Sequence, residues 1–231
     1  MIKLKPILFE GFVSETIVKE LEKAYSKHWN TNSVEMAIDR NGGPQKFYEQ
    51  NQEVFDNITS DATEFKYLGS GAFGSAYSLG DKVLKISHSK NADRNDIIDY
   101  LLFDKKIKRG LHLPMVYLRG DFKGSFDSLT YTILEKFEVF PRKYSSVLDT
   151  ILDMINYDSE GLRPSEIIRE IQKDFSSKLS VMEQDLRLGS NWLNKLIQAV
   201  RLLNKQDIAD LHSGNAGIRR NGAEGYIVFF D

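Results

Sequence analysis

The chain has 231 residues, 41% hydrophobic and 28% charged, enough apolar material for one or two domains with real cores. A formal net charge of −2 and a pI of about 6.1 give no basic surface for nucleic acid or an anionic membrane, so neither is expected as a direct partner. The absence of cysteine excludes a disulfide framework and thiolate metal sites, and no apolar run approaches the roughly 20 residues that span a bilayer.

The first residues, Met1-Ile2-Lys3-Leu4-Lys5-Pro6, lack the apolar core and cleavage site of a signal peptide, so a cytoplasmic protein is expected. Residues 1–60 read as an N-terminal extension, mostly helical. Ile17, Val18, Leu21, Ala24 and Tyr25 fall on one helical face, behind Ser14 as a candidate cap. Asn41-Gly42-Gly43-Pro44 then breaks the chain before an aromatic segment over 47–55. Residues 61–140 turn to β: strands are expected within 65–86, at Met115-Val116-Tyr117 and over 129–134, with turn signals at Gly120-Asp121 and Gly124. Residues 141–231 begin helical. Val147, Leu148, Ile151, Leu152 and Ile155 make one stripe. Pro164 suits a first helical turn, and Trp192, Leu193, Leu196, Ile197, Val200 and Leu203 make a long apolar face. Short strands return beyond Asp210, with Asn221-Gly222 as a hairpin turn. The order predicts an α+β fold of two lobes.

Four features in chain order carry chemistry. Gly69-Ser70-Gly71-Ala72-Phe73-Gly74 is a G-x-G-x-x-G, a weak signal alone. A dinucleotide fold needs a helix after it, but here Gly80-Asp81 interrupts any helix and Val83-Leu84-Lys85-Ile86 reads as a strand. The glycines are therefore expected in a hairpin whose backbone N–H groups approach phosphates without Cβ obstruction. Lys85 alternates against Leu84 and Ile86, which points a cation from the next strand toward those phosphates. Its carboxylate partner would be Asp96, Asp99 or Asp104, with Asp99 favoured by its place among Ile97, Ile98 and Leu101. Asp210 to Asn215 is D-x-x-x-x-N: a carboxylate to take an acceptor proton and an amide oxygen to bind metal. Asp231 closes the apolar run Ile227-Val228-Phe229-Phe230, where it would chelate the same ion. Each residue alone is an ordinary turn or strand residue; their order is the signal. His212 has two readings, a backbone-bonded loop residue or a contact to phosphate or acceptor.

This order of motifs resembles the protein-kinase-like superfamily over residues 67–231. Thr132-Ile133-Leu134-Glu135-Lys136-Phe137 resembles its hinge, with Leu134 as gatekeeper and the backbone of Glu135 and Phe137 toward adenine. Asp210-Leu211-His212-Ser213-Gly214-Asn215 is most similar to the D-x-H-S-G-N loop of the early serine/threonine kinases of T-seven-type podophages. The resemblance implies a minimal bilobal kinase-like fold with a truncated C-lobe that lacks the activation segment. It implies ATP and Mg2+ (or Mn2+), serine/threonine phosphorylation of host proteins and residence in a host bacterial cytoplasm. Asp210 and Lys85 would be catalytic. Gly69, Ser70, Gly71, Ala72, Phe73, Gly74, Lys85, Glu135 and Phe137 would bind nucleotide, and Asn215 and Asp231 the metal. There are departures. Ile208-Ala209-Asp210 replaces His-Arg-Asp, and neither Phe-Gly nor Ala-Pro-Glu follows Asp231, so control by activation-loop phosphorylation is not expected. Peptide docking would then fall to residues 1–60, to 142–190 or to another chain. A pseudokinase-like binding module, a small-molecule kinase and a nucleotidyl transferase remain as alternatives.

Overall fold

The computed structural model describes residues 5–71, 74–88, 113–124, 129–157, 161–204 and 211–229. The described residues form an α+β structure of seven helices, a five-stranded antiparallel sheet and a three-stranded sheet. The chain divides into two compact units, residues 1–96 with 116–136 and residues 97–115 with 137–231.

The first unit begins with α1 (Lys5–His28), α2 (Ser33–Arg40), α3 (Pro44–Gln50) and α4 (Gln52–Thr59). Helix α1 starts ahead of Ser14, with Pro6 in its first turn where no N–H is needed, so Ser14 lies within the helix instead of capping it. Helix α2 does have a side-chain cap, since Asn32 accepts hydrogen bonds from the N–H groups of Val34 at 2.7 Å and Glu35 at 3.4 Å. Gly42 and Gly43, at φ 96° and 89°, carry the chain out of α2, and Pro44 opens α3.

The strands β1 (Lys66–Ser70), β2 (Gly74–Ser78), β3 (Lys82–His88), β4 (Val116–Phe122) and β5 (Leu129–Glu135) form a sheet of order β1-β2-β3-β5-β4. Tyr77, Leu84 and Ile133 lie in register on one face and are buried. They share a single core with Ile17 and Leu21 of α1, Ile38 of α2, Phe47 of α3 and Phe55 of α4. The four helices therefore supply the other half of the sheet's core. Fully burying a side chain of this size contributes roughly 1.5–3 kcal/mol. One turn signal is overturned: Gly120-Asp121 lies inside β4. Gly120 makes room there, since a Cβ would come within 2.5 Å of the Tyr131 hydroxyl on β5.

The second unit holds α5 (Ser145–Tyr157), α6 (Pro164–Leu186) and α7 (Trp192–Asn204), with β6 (Glu138–Val139), β7 (Ala216–Asn221) and β8 (Glu224–Phe229) in the order β6-β7-β8. The predicted stripes of α5 and α7 are buried, packed with Ile171 and Met182 of α6 and with Ile218, Ile227 and Phe229 of the hairpin. Pro164 opens α6 as expected, and the Arg163 N–H is satisfied by Glu166 at 2.6 Å. The β7–β8 turn is centred on Gly222, whose φ of 62° at the first central position suits a two-residue hairpin. Among the described residues no helix is long and apolar enough to cross a membrane.

Candidate functional site

Strands β1 and β2 pair antiparallel with Gly69 opposite Ala76 and Ser70 opposite Ser75, so the glycine motif sits in a hairpin, as expected. Gly71 N–H donates to Gly74 O at 2.9 Å across the turn. Ala72 and Phe73 at its tip lie outside the described residues. A Cβ added at Gly74 would meet Ile86 O at 3.2 Å and Lys85 Cε at 3.6 Å, so this glycine admits a close approach by β3. Gly69 and Gly71 differ. Neither has a left-handed φ, and among the described residues no atom lies within 4 Å of where their Cβ would stand. Gly69 borders a bulge in β1, where the register shifts after Tyr67, so Gly71 is the one for which the described packing gives no reason.

Lys85 sits mid-strand on β3, in register with Ala76 on β2 and Thr132 on β5. Alternation turns it to the face opposite Leu84 and Ile86, away from the helical core. The same face carries Val83 opposite Leu134, the expected gatekeeper, which is buried. The half-buried Lys85 side chain runs toward Gly74, so the first unit brings cation and glycine hairpin together. Glu135 ends β5 opposite Lys82. The chain passes from the first unit to the second between Lys136 and Phe137, within the expected hinge segment. Asp96, Asp99 and Asp104 lie outside the described residues.

In the second unit Asn215 is half-buried at the end of a 3-10 turn, Ser213–Asn215, that leads into β7. The turn is held by Asp149 of α5, a residue no sequence signal marked. Its carboxylate accepts from the Ser213 N–H at 2.6 Å and the Ser213 hydroxyl at 2.9 Å. His212 Nδ1 accepts from the Gly214 N–H at 3.0 Å, the backbone bond of the first of its two readings. Phe137 packs over Gly217, where a Cβ would stand 2.7 Å from Phe137 Cβ, and the Arg219 guanidinium lies 5.8 Å from its ring centre. Pairing of β6 with β7 thus brings Phe137 near the strand that follows Asn215. Asp210 and Asp231 lie outside the described residues, and among the described residues no group of three or more acidic or histidine side chains is placed to hold a metal.

Two further side chains of α2 reach the glycine hairpin. Asn32 donates its amide to Gly71 O and to Gly74 O, the latter at 3.1 Å. Glu35 is fully buried and accepts from the Ser75 hydroxyl at 2.6 Å. Burial raises its carboxyl to about 7, against the smaller lowering by the Ser75 bond. In sequence both residues look like ordinary polar positions of a short amphipathic helix, and only the fold shows what they touch. A shallow cavity of about 180 Å³ opens elsewhere in the first unit, beside Asp61, Leu79, Asp81, Lys82 and Tyr117. It contains none of the expected site residues and is smaller than the ~300 Å³ at which ligand pockets begin. A scan against protein-family models gives no match for the chain, and a search of the curated proteins finds no relative.

Proposed function

We propose that this chain is an ATP- and magnesium-dependent serine/threonine protein kinase, its two units being the lobes of a minimal bilobal protein-kinase-like fold. The observation that carries the reading is the glycine hairpin with Lys85 beneath it. In kinases of this kind the glycine loop covers the phosphates and the phosphate lysine stands on the third strand. Here Lys85 is on β3 and reaches toward Gly74, while Gly71 is a glycine that no contact among the described residues and no left-handed φ demands. A ligand that needs close backbone approach supplies the missing reason. Magnesium bound to the phosphates supplies charge neutralisation during transfer, and Asn215 with Asp231 would hold it. Asp210 would accept the proton of the acceptor hydroxyl. Asp149 supports this reading by fixing the backbone between Asp210 and Asn215 through two hydrogen bonds to Ser213. As in the resemblance, the substrates would be host proteins in a bacterial cytoplasm.

The test is transfer of label from γ-labelled ATP with magnesium into proteins of a bacterial lysate, beside Lys85→Ala and Asp210→Asn. Labelled bands that fall by roughly 10²–10⁴-fold in Asp210→Asn, the range of general acid–base catalysis, support the reading. Labelling that persists in both variants, or none with the unaltered chain, defeats it. Label transferred from α-labelled ATP would instead assign nucleotidyl transfer.

A further inference from the structure

Helix α2 touches the glycine hairpin through two buried polar side chains, Asn32 at 1% exposure and Glu35 at 0%. Asn32 spends its whole side chain on the contact. Its oxygen caps α2, accepting from Val34 and Glu35, and its amide nitrogen donates to the carbonyls of Gly71 and Gly74. Only a carboxamide does both jobs at once: a carboxylate cannot donate, and a serine has a single proton and a shorter reach. Glu35 holds a second point. It accepts from Ser75, whose hydroxyl is 2.8 Å from that of Ser70, the residue opposite it in the hairpin. The two ties meet the loop from the face opposite Lys85, because Ser75 pairs with Ile86 and not with Lys85.

We propose that Asn32, and Glu35 through Ser75, are positioning residues that hold the glycine hairpin ready for a nucleotide triphosphate. This rests on the nucleotide reading above. A phosphate is bound by N–H groups and repelled by carbonyl oxygens. Asn32 engages the carbonyl oxygens of Gly71 and Gly74, so neither is free to turn toward an incoming phosphate. Two carbonyls of a glycine-rich turn are fixed in this way, and the conformational freedom that glycine brings is removed before the ligand arrives.

The experiment is calorimetric titration of the full chain with Mg-ATP, comparing the unaltered protein with Asn32→Asp. That variant keeps the acceptor that caps α2 and loses both donors to the loop. If the loop is then competent about a tenth of the time, the apparent Kd rises about tenfold. A merely structural role of Asn32 would lower the melting temperature and leave the affinity of the folded protein unmoved. The proposal therefore expects weakened binding at 25 °C in a variant whose far-UV spectrum is native. Should Asn32→Asp fail to fold, Ser75→Ala cuts the second tie from the sheet side and carries the same test. Equal affinity in the unaltered and altered chains overturns the proposal and leaves the nucleotide reading standing. No binding of ATP by the unaltered chain overturns both.

Discussion

Two of the glycine-bearing hairpins, β1–β2 and β7–β8, hold their glycines for different reasons. In β7–β8 the reasons are internal. Gly217 lies against Phe137, Gly222 takes the positive φ of the turn, and a Cβ on Gly225 would come within 2.5 Å of Leu186 O. That hairpin is further tied down by Arg220, which binds Glu138 at 2.8 Å and Leu186 O at 2.6 Å. In β1–β2 Gly74 has such a reason and Gly69 borders a bulge, while among the described residues nothing stands within 4 Å of a Cβ placed on Gly71. The comparison separates glycines that serve packing from one that the described packing leaves open, a distinction invisible in the sequence motif itself.

The sharpest way to probe the difference is pH, because the two hairpins are braced by different chemistry. Burial pushes the Glu35 carboxyl up to about 7 in the folded chain, against 4.5 for an ordinary glutamate. Between those values the folded state holds the proton more tightly than the unfolded one, so stability falls as pH rises through about 4.5 to 7. The shift corresponds to on the order of 3 kcal/mol once Glu35 is fully ionised. Tyr77, pushed far up by burial, and Glu20, held low, titrate outside this window. Thermal melts should therefore show Glu35→Gln gaining on the unaltered chain from pH 5 to pH 8.5. Glu138, held low by Arg220, adds nothing of the kind to the other hairpin. A melting difference that does not grow with pH would break this contrast.

Next in size is Gly225→Ala. The added methyl meets a backbone carbonyl that cannot move freely, since Leu186 O also accepts from Arg220. Denaturant unfolding should show a loss of about 1–3 kcal/mol. Gly71→Ala should have the smallest effect on stability, a gain or loss below about 1 kcal/mol, because no atom of the described residues opposes the methyl and the unfolded chain loses freedom. Yet it should weaken Mg-ATP in the same titration used for Asn32→Asp. A large stability loss at Gly71 with unchanged nucleotide affinity would place it with Gly217 and Gly225.

Much of the fold was legible because it rests on periodicity. The alternation around Lys85 placed it on a strand with its side chain away from the core, and the stripes of α5 and α7 are buried as their 3.6-residue spacing predicts. Local chemistry misled where tertiary contact decides. Gly120-Asp121 has turn composition but lies in β4, because the Tyr131 ring needs the missing Cβ. Ser14 is a good cap residue inside a helix that had already begun. The site was legible only for residues whose role is set by strand position, such as Lys85 and the glycines. Asp149, Asn32 and Glu35 act across 64, 39 and 40 residues of chain, and a polar side chain carries no mark of the distant backbone it will bind.

The hydroxyls beside the glycine turn have one further consequence. Glu35 accepts the Ser75 proton, so the proton between Ser75 and Ser70 must be that of Ser70, and the one between Ser70 and Tyr67, 2.8 Å away, must be that of Tyr67. The three hydroxyls point head to tail toward the carboxylate, each with its only proton committed. Ser70 and Ser75 have lone pairs alone to offer any other group. If a nucleotide binds at this hairpin as proposed, its phosphates would meet main-chain amides and Lys85 and not these two hydroxyls, so Ser70→Ala should leave its affinity unchanged where a serine-liganded phosphate site would lose it.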